Sequence, residues 1–208
     1  TLSLHDALPI YLSTARSVEV VRQAKNDGLP VTAEVTPHHL SLTDEKLATF
    51  STLFKVNPPL RTMEDIEALR AGLSDGTIDA IATDHAPHAA HLKEQDLGAA
   101  PPGMLGLQTA LGVALRYSGL TAEAVVKAMS WEPARIAGLD QEHGRDIAVG
   151  EPANIVVFDP AELWTQNVES IVSKSKNSPF LGWTLKGQVE RTYVEGRLKH
   201  HAAPKERR

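Results

Sequence analysis

The chain has 208 residues, of which 42% are hydrophobic and 23% are charged, a composition typical of a globular protein with a buried core. Its formal net charge of −5 argues against a nucleic-acid partner, which usually binds a basic face. The sequence has no run of about 18 apolar residues that would cross a membrane, and no cysteine for a disulfide or a thiolate metal site. These features fit a cytoplasmic protein whose metal ligands are restricted to His, Asp, Glu or a modified Lys.

The first ten residues differ in character from the rest of the chain. The sequence begins at Thr1 rather than Met, and TLSLHDALPI lacks the charged segment and long apolar core of a signal peptide. We interpret residues 1–10 as a foreign leader fused to a gene fragment. The alternative is an ordinary loop and short strand whose upstream part has been removed. Under either interpretation, we expect the chain to be part of a longer protein.

Strand-like and helix-like segments alternate over the first two thirds of the chain. Helices are predicted at 15–27, where apolar residues recur at three-residue spacing, and at 62–74. Strands are predicted at 31–36 and 78–83, and the second is nearly all apolar, as in a parallel sheet buried on both faces. This rhythm indicates βα units. Three further helices are predicted at 104–117, 121–129 and 132–138.

The pattern becomes β-rich near residue 140, where we place a boundary. Strands are predicted at 154–158 and 189–198, and VEGR at 194–197 is typical of a hairpin turn. We therefore expect a β-rich appendage at 139–199, followed by a solvated tail at 200–208.

The strongest candidate for a functional site is ATDHAPH at 82–88, directly after the second predicted strand. In a βα barrel, the carboxyl ends of the strands carry the catalytic groups. Asp84 in this position could ligate a metal and exchange a proton with a metal-bound water. Pro87 stiffens the turn and helps to fix His88, which could hydrogen-bond a substrate oxygen. The alternative is an Asx-turn beside exposed histidines.

Two weaker candidates follow earlier in the chain. His38 and His39 lie in VTPHH, just beyond the first predicted strand, and their spacing leaves ligation and structural support about equally open. Asn57 lies in KVNPPLR at 55–61, where two prolines would hold an extended loop and leave its side-chain amide free to bind a polar ligand. A simple turn is the alternative for this second segment.

Taken together, these segments resemble dihydroorotase, the cyclic amidohydrolase of pyrimidine biosynthesis, in its bacterial stand-alone form. The most specific element is ATDHAPH with Lys93 five residues further on. The resemblance covers nearly everything after residue 10. The matching segments are YLSTARSVEVVRQAK (11–25), VTAEVTPHHLSLT (31–43), KVNPPLR (55–61), DGTIDAIATDHAPH (75–88) and PPGMLGLQTA (101–110), with weaker matches in WEPARIAGL (131–139), GEPANIVVFD (150–159) and NSPFLGWTLKGQVERTYVEGR (177–197).

The resemblance implies an α/β fold, with the carboxyl-terminal half of a TIM-type (β/α) metal-dependent hydrolase barrel at 11–138 and a small β-rich appendage. It implies interconversion of N-carbamoyl-L-aspartate and dihydroorotate in the synthesis of UMP, with one or two Zn²⁺ ions in each complete active site. The implied partners are this small-molecule substrate and either a second copy of the chain or aspartate transcarbamoylase. A whole barrel needs about 250 residues. We therefore expect this chain alone to be inactive and poorly soluble, because open strands leave unpaired edges.

By the same resemblance, Asp84 is a metal ligand and the acid/base that takes the hydroxide proton and passes it to the leaving ring nitrogen. Asn57 and His88 would contact the substrate. Pro102 and Gly103 would offer backbone groups from a mobile loop that closes over the site and excludes water.

The chain departs from the family pattern at the metal ligands. A His-x-His pair, an acidic or carboxylated-lysine ligand, a further His and a substrate-binding Arg would belong to a part of the protein that is absent here. The ligand His that opens an HxST motif is replaced by Tyr11 in YLST, and a phenol with a pKa near 10 is a poor zinc ligand beside an imidazole. Tyr11 lies next to the predicted leader, so one interpretation is that it arises at the junction. Of the metal ligands that the resemblance implies, Asp84 alone remains in this sequence. We prefer a supporting role for His38 and His39.

Two alternatives remain open. An allantoinase or dihydropyrimidinase would use the same chemistry on another ring, although KVNPPLR and DHAPH favour dihydroorotase. A non-catalytic, dihydroorotase-like scaffold partner of aspartate transcarbamoylase is the other alternative. Tyr11 favours the scaffold, whereas the presence of Asp84, Asn57 and His88 counts against it.

Overall fold

The structure, a computed structural model, describes residues 11–202. The predicted leader at 1–10 lies outside the described residues, as do residues 203–208 of the predicted tail. Within the described range, no helix is both long enough and apolar enough to cross a lipid bilayer.

Helices α1 (Ala15–Asn26) and α2 (Met63–Ser74) confirm the first two predicted helices. Each begins with a capping box, in which side chains pair the backbone N–H groups that a helix start leaves unsatisfied. In α2 the box is formed by Thr62 and Asp65, and Asp65 also accepts a hydrogen bond from the backbone N–H of Ala15 at 2.8 Å. The cap of one helix therefore holds the start of the other.

Strands β1 (Glu34–Val35) and β2 (Ala80–Ile81) pair in parallel, with α2 and two short 3-10 turns between them in sequence. This order is the βα pattern that the sequence predicts, and the two strands form a small sheet within the described residues. The carboxyl ends of both strands consequently lie at the same edge of the sheet. The 3-10 turns are Asp44–Thr49 and Thr52–Phe54.

Both strands are much shorter than the predicted segments at 31–36 and 78–83. The first strand cannot continue through Pro37, which has no N–H to donate to a ladder, and its paired residues are Glu34 and Val35 only. The second ends before Asp84, whose φ of +46° is far from the extended conformation of a strand. The predicted positions of the two strands are therefore confirmed, but their predicted lengths are wrong.

The middle of the chain is helical, but its first long helix starts later than predicted. The helix predicted at 104–117 begins only at residue 110, because the residues before it pair with other segments. Met104 forms a parallel bridge with His85, and the backbone N–H of Leu105 donates to the carbonyl oxygen of Asn177 at 3.1 Å. The helices here are α3 (Ala90–Lys93), α4 (Ala110–Tyr117), α5 (Ala122–Val126) and α6 (Glu132–Ile136).

A π-helical turn, Lys127–Trp131, joins α5 to α6 directly. The short break expected between predicted helices at 121–129 and 132–138 is therefore wrong, and the second helix ends at residue 136. Wide helical turns of this kind accommodate an extra residue without ending the helix.

Three antiparallel strands in the order β3-β4-β5 form the β-rich part of the chain: β3 (Ile155–Thr165), β4 (Thr184–Val194) and β5 (Arg197–His201). The predicted hairpin turn is confirmed at Glu195 and Gly196, which have φ values of +50° and +74°. Strands β3 and β4 extend beyond the predicted segments at 154–158 and 189–198, across a register shift after Asp159. Strand β5 includes the first two residues of the predicted tail, and both are exposed.

Two clusters of buried apolar side chains hold these elements together. The first lies between α1, α2, β1, β2 and the α4–α5 region. The second joins α4 to β4 and to the segment before it, through residues such as Val113, Phe180 and Leu185. This second cluster matters for the site, because it packs the residues that precede β4 against the loops that follow β2.

Candidate functional site

Three ionisable side chains lie at or beside the paired ends of the parallel strands. The backbone N–H of Leu12 donates to the carbonyl oxygen of Glu34 at 2.8 Å, which places Tyr11 beside the end of β1. Asp84 follows β2, the parallel neighbour of β1. Tyr11, Glu34 and Asp84 are all half-buried, and each lies at the edge where the βα pattern predicts functional groups.

Burial and the charges of the two carboxylates shift the pKa values of these three groups in the same direction. Burial raises the pKa of Asp84 above its ordinary value. Burial also raises the pKa of Glu34, and the negative charge of Asp84 raises it further. The pKa of Tyr11 is raised by burial, then by Asp84, then by Glu34. A carboxyl group whose pKa is raised toward neutrality is suited to accepting and returning a proton.

The backbone is unusual at two of these three residues. Tyr11 has a φ of +55° and Asp84 a φ of +46°, both in the left-handed region. Aspartate tolerates this region better than most residues, whereas a bulky aromatic residue rarely occupies it. Strained conformations of this kind cluster at functional sites, so they support the assignment of this edge of the sheet as the site.

Tyr11, Glu34 and Asp84 do not form a zinc site by themselves. Zinc in proteins is usually bound by three or four His, Cys, Asp or Glu side chains. Within residues 11–202, no three such side chains are grouped so that they could hold a metal ion. Tyr11, Glu34 and Asp84 offer two carboxylates and a phenol whose raised pKa keeps it protonated. Further ligands would have to come from outside the described residues.

Three of the predicted substrate-binding residues contact one another in the structure. The Nε2 atom of His88 lies 3.0 Å from the carbonyl oxygen of Pro102. Since a carbonyl only accepts hydrogen bonds, Nε2 carries the proton in this contact. Gly103 follows with a φ of +131°, and a Cβ there would lie 2.6 Å from Ala86 Cβ and 2.8 Å from the His88 Nε2 atom. Only glycine fits this close approach.

Two lysines hold the loop that contains Pro102 and Gly103. The buried ammonium group of Lys93 donates to the carbonyl oxygens of Pro101 at 2.9 Å and Gly103 at 3.0 Å. Burial lowers the pKa of Lys93, and the nearby charge of Lys55 lowers it further. Lys55 Nζ in turn donates to Leu97 and Gly98. These hydrogen bonds stabilise the loop in the observed arrangement, and its mobility stays a prediction.

The backbone groups that were predicted to serve the substrate have partners inside the protein. The N–H of Gly103 donates to the carbonyl oxygen of Lys55 at 2.8 Å, and the carbonyl oxygen of Pro102 receives the His88 proton. Carbonyl oxygens retain a second lone pair. A substrate would therefore reach Pro102 through its carbonyl oxygen more readily than it would reach the N–H of Gly103.

Asn57 is exposed and lies in a cleft of about 420 Å³ that Pro102 also lines. His88 lines a second cleft, of about 430 Å³, together with Lys93 and Asn177. The structure thus groups Asn57, His88, Pro102 and Gly103 around the loop after α3. Asp84 is not one of the residues that line these two clefts.

His39 supports the loop that contains Asn57. Its Nε2 atom lies 3.0 Å from the carbonyl oxygen of Pro58, and its Nδ1 atom lies 2.7 Å from the hydroxyl oxygen of Thr36. Because the Pro58 carbonyl can only accept, Nε2 donates and Nδ1 accepts. Burial lowers the pKa of His39 to about 4, so the ring is neutral. This geometry favours structural support over ligation.

His38 is equally buried and its ring packs against that of His39, with centroids 4.6 Å apart. Burial lowers its pKa well below the ordinary value, and a proton on His39 would lower it further. Its Nε2 atom has no hydrogen-bond partner. A neutral, enclosed imidazole of this kind packs like an apolar side chain.

The sequence reasoning missed two residues of the site. Glu34 is a carboxylate within the otherwise apolar VTAEV segment, and that interruption of a buried strand was an available signal. Asn177 contacts the loops of both His88 and Gly103, from 89 and 74 residues further along the chain. No local pattern marks Asn177, because its role depends on how the β-rich part packs.

The comparisons with known proteins define the class. The chain matches the Amidohydrolase family over residues 6–199, and it belongs to that family. This match begins within the stretch predicted to be a leader.

The relatives that the chain resembles carry the name dihydroorotase. The chain is 49% identical to the dihydroorotase of Sulfurihydrogenibium sp. (strain YO3AOP1) over 203 residues, which is 95% of this chain and 47% of that protein. It is 48% identical to the dihydroorotase of Mycobacterium leprae (strain TN) over 192 residues, covering 90% of this chain and 44% of that protein. The resemblance to dihydroorotase is therefore confirmed, and the chain spans less than half the length of these relatives.

Solved structures of related hydrolases share the fold. The L-hydantoinase (dihydropyrimidinase) of Arthrobacter aurescens aligns with a TM-score of 0.85 and 30% identity, over 92% of this chain and 44% of that one. The dihydropyrimidinase of Brevibacillus agri NCHU1002 aligns with a TM-score of 0.84 and 25% identity over the same shares. The α/β fold of the chain is thus that of amidohydrolases.

Proposed function

We propose that this chain is the carboxyl-terminal half of a bacterial dihydroorotase, which interconverts N-carbamoyl-L-aspartate and dihydroorotate in the synthesis of UMP in the cytoplasm. The observation that carries the proposal is the half-buried Asp84, with its raised pKa, at the carboxyl end of β2. The 49% identity to a named dihydroorotase over almost the whole chain supports this ring over that of the hydantoinases.

In the direction of ring opening, a water molecule attacks the ring amide carbonyl. Asp84 accepts the proton of the attacking water and returns it to the ring nitrogen as the carbon–nitrogen bond breaks, giving N-carbamoyl-L-aspartate. Its raised pKa suits both steps, because the group must accept a proton first and lose it afterwards. Asn57, His88 and the carbonyl oxygen of Pro102 bind the substrate, beside Gly103.

The proposed architecture is half of a TIM-type barrel at 11–138, the β-rich appendage at 139–199 and the tail at 200–208. The complete enzyme would hold one or two zinc ions, to which this chain contributes Asp84, with Tyr11 at a position where the family has His. Since the described residues do not make a zinc site by themselves, we assign no step to the metal. We propose that the chain is inactive alone, because the other ligands lie elsewhere. Homodimerisation and association with aspartate transcarbamoylase remain proposals of the same kind.

The test uses a fusion protein in which this chain replaces the aligned part of the Sulfurihydrogenibium relative. The chain alone and the fusion protein are assayed with zinc against dihydroorotate, N-carbamoyl-L-aspartate, allantoin and hydantoin. We expect no turnover by the chain alone, and turnover by the fusion protein at least tenfold faster with dihydroorotate than with the other rings. A preference for hydantoin or allantoin would assign the chain to that alternative instead.

Tyr11 is the specific observation that favours a second function, a non-catalytic scaffold. A scaffold needs no acid/base, so the fusion protein would hydrolyse none of these substrates, even after Tyr11→His. Retained zinc together with turnover excludes the scaffold. Turnover by the Tyr11→His fusion protein therefore separates these two functions.

A further inference from the structure

Two loops carry the proposed substrate-binding groups: the first, at 82–89, contains His88, and the second, at 94–109, contains Pro102 and Gly103. Asn177, in the segment before β4, contacts both loops. Its side chain is buried, with only 4% of the residue exposed. The Oδ1 atom accepts hydrogen bonds from the backbone N–H of His88 at 3.2 Å and from the hydroxyl of Ser175 at 2.5 Å. The Nδ2 atom donates to the carbonyl oxygens of Ala86 at 2.9 Å and Gly103 at 3.3 Å. One amide group therefore uses both of its donors and both of its acceptor sites.

The neighbours of Asn177 strengthen the same connection. The hydroxyl of Ser175 lies within hydrogen-bond distance of both Asn177 Oδ1 and the carbonyl oxygen of His88, and its single proton is donated to one of them at a time. Both the N–H and the carbonyl oxygen of His88 therefore face this segment. The backbone carbonyl of Asn177 accepts the N–H of Leu105 at 3.1 Å, two residues beyond Gly103. The segment before β4 consequently contacts each loop through more than one hydrogen bond.

These contacts fix the position of the His88 ring relative to the carbonyl oxygen of Pro102, which is 14 residues away in sequence. The His88 ring donates to the carbonyl oxygen of Pro102, and this contact requires the two loops to keep one separation. The ammonium group of Lys93 also binds Gly103, but its hydrogen bonds go to the carbonyl oxygens of Pro101 and Gly103, which both belong to the second loop. Asn177 is the side chain that binds the His88 N–H and the Gly103 carbonyl oxygen at once.

We propose that Asn177 is a positioning residue for substrate binding: from the β-rich side of the molecule, it sets the separation of His88 from the Pro102–Gly103 peptide. The proposal rests on the proposed function, because that function assigns these groups to the substrate. Asn177 itself does not contact the reacting atoms. The alternative is that a buried amide merely stabilises the fold as a whole.

The first experiment measures hydrogen exchange in the 208-residue chain, without substrate. The backbone N–H of His88 reports the contact directly, and the N–H of Ala82, which donates to Val35 at 3.0 Å, reports the stability of the sheet. We expect Asn177→Ala to speed exchange at His88 at least tenfold more than at Ala82. Equal acceleration at both residues, or no change at His88, overturns the proposal.

Two further variants separate the loss of the hydrogen bond to His88 from the loss of side-chain volume at Asn177. Asn177→Asp keeps an acceptor for the His88 N–H but removes both donors, so exchange at His88 should stay within about threefold of the original. The matched control is Asn154→Ala, since Asn154 accepts from Glu195 and donates to Glu142 far from this site. That control should leave exchange at His88 unchanged. Fast exchange at His88 in the Asp variant, or in the control, contradicts the assigned role.

The His88 ring provides a spectroscopic readout that a purely structural role would not move. Because Pro102 accepts from Nε2, nitrogen NMR of the original chain should show the Nε2–H tautomer. In Asn177→Ala, loss of the fixed separation should give a mixture of tautomers. An unchanged tautomer in that variant overturns the proposal.

The last experiment tests the consequence for substrate in the fusion protein. Asn177→Ala should raise KM for dihydroorotate about tenfold, with a change in kcat of less than about threefold. An unchanged KM overturns the positioning role. If the unaltered fusion protein does not hydrolyse dihydroorotate, the proposed function fails, whereas the exchange and NMR data still decide whether Asn177 positions His88.

Discussion

The ammonium group of Lys93 lies 3.0 Å from the carbonyl oxygen of Gly103, ten residues further along the chain. This bond closes the loop between α3 and α4 onto itself and leaves Gly103 against His88. Because Lys93 is only 7% exposed, its charge is shielded from water and its hydrogen bonds are correspondingly stronger. The loop that contributes Pro102 and Gly103 to the proposed substrate site is therefore stabilised by a hydrogen bond within the loop region itself.

Replacement of Gly103 tests how tightly this loop is packed. In Gly103→Ala, the new Cβ would lie 2.6 Å from Ala86 Cβ, at a φ of +131° that alanine rarely adopts. We expect a loss of about 1–3 kcal/mol in the free energy of unfolding, measured by urea denaturation. The matched control is Gly98→Ala, where nothing lies within 4 Å of the new Cβ, and its effect should stay below about 0.5 kcal/mol. Equal effects of the two substitutions would show that the loop yields.

His39 makes the stability depend on pH. Its pKa is about 4 in the folded chain against an ordinary 6.5, so the unfolded chain binds more protons between these two values. Stability is therefore complete above about pH 7 and falls as the pH is lowered toward 4, by on the order of 3 kcal/mol in total. His38 acts in the same direction, because burial lowers its pKa as well. Urea denaturation at a series of pH values measures the slope.

His39→Gln removes one titrating ring and should reduce that slope, although it lowers the stability at pH 7. The control is His91→Gln, since His91 is exposed and belongs to the same residue type. An unaltered slope in His39→Gln would mean that the neutral ring of His39 does not set the pH dependence.

Tyr11 limits the affinity for metal in the proposed enzyme. In the fusion protein, Tyr11→His replaces a phenol of raised pKa by an imidazole, the usual zinc ligand among the remaining side chains. We expect zinc content after dialysis to rise toward one or two ions per chain, and dihydroorotate turnover to rise at least tenfold. Metal analysis and the activity assay are run on the same samples. Tyr11→Phe serves as the control and should raise neither quantity.

The helices were the most predictable part of the fold. The periodicity and capping residues of α1 and α2 fix both ends of each helix within one or two residues. The helix predicted from residue 104 starts late because Met104 and Leu105 form hydrogen bonds with distant segments, and local propensity cannot anticipate such contacts. The predicted strand at 78–83 was too long for a local reason, since the chain leaves the extended conformation before Asp84, whose φ is +46°.

The candidate site was predictable where chemistry is local to a motif. The segment at 82–88 identified Asp84 and His88, and the structure brings His88 to Pro102 and Gly103. Asn177 was not predictable, because its four hydrogen bonds depend on packing between two parts of the chain. Glu34 was detectable as a charged residue within a buried strand. Its role in the site could not be predicted from that alone, because it depends on the proximity of Asp84, which follows the neighbouring strand.

The most direct test of the central claim is the rate of dihydroorotate hydrolysis by the fusion protein carrying Tyr11→His, with and without Asp84→Asn. Asparagine keeps the size of the side chain but cannot accept and return the proton. We predict that Asp84→Asn lowers kcat by a factor on the order of 10²–10⁴, with the free energy of unfolding changed by less than about 1 kcal/mol. A variant that retains kcat within tenfold would contradict the role of Asp84 as the acid/base.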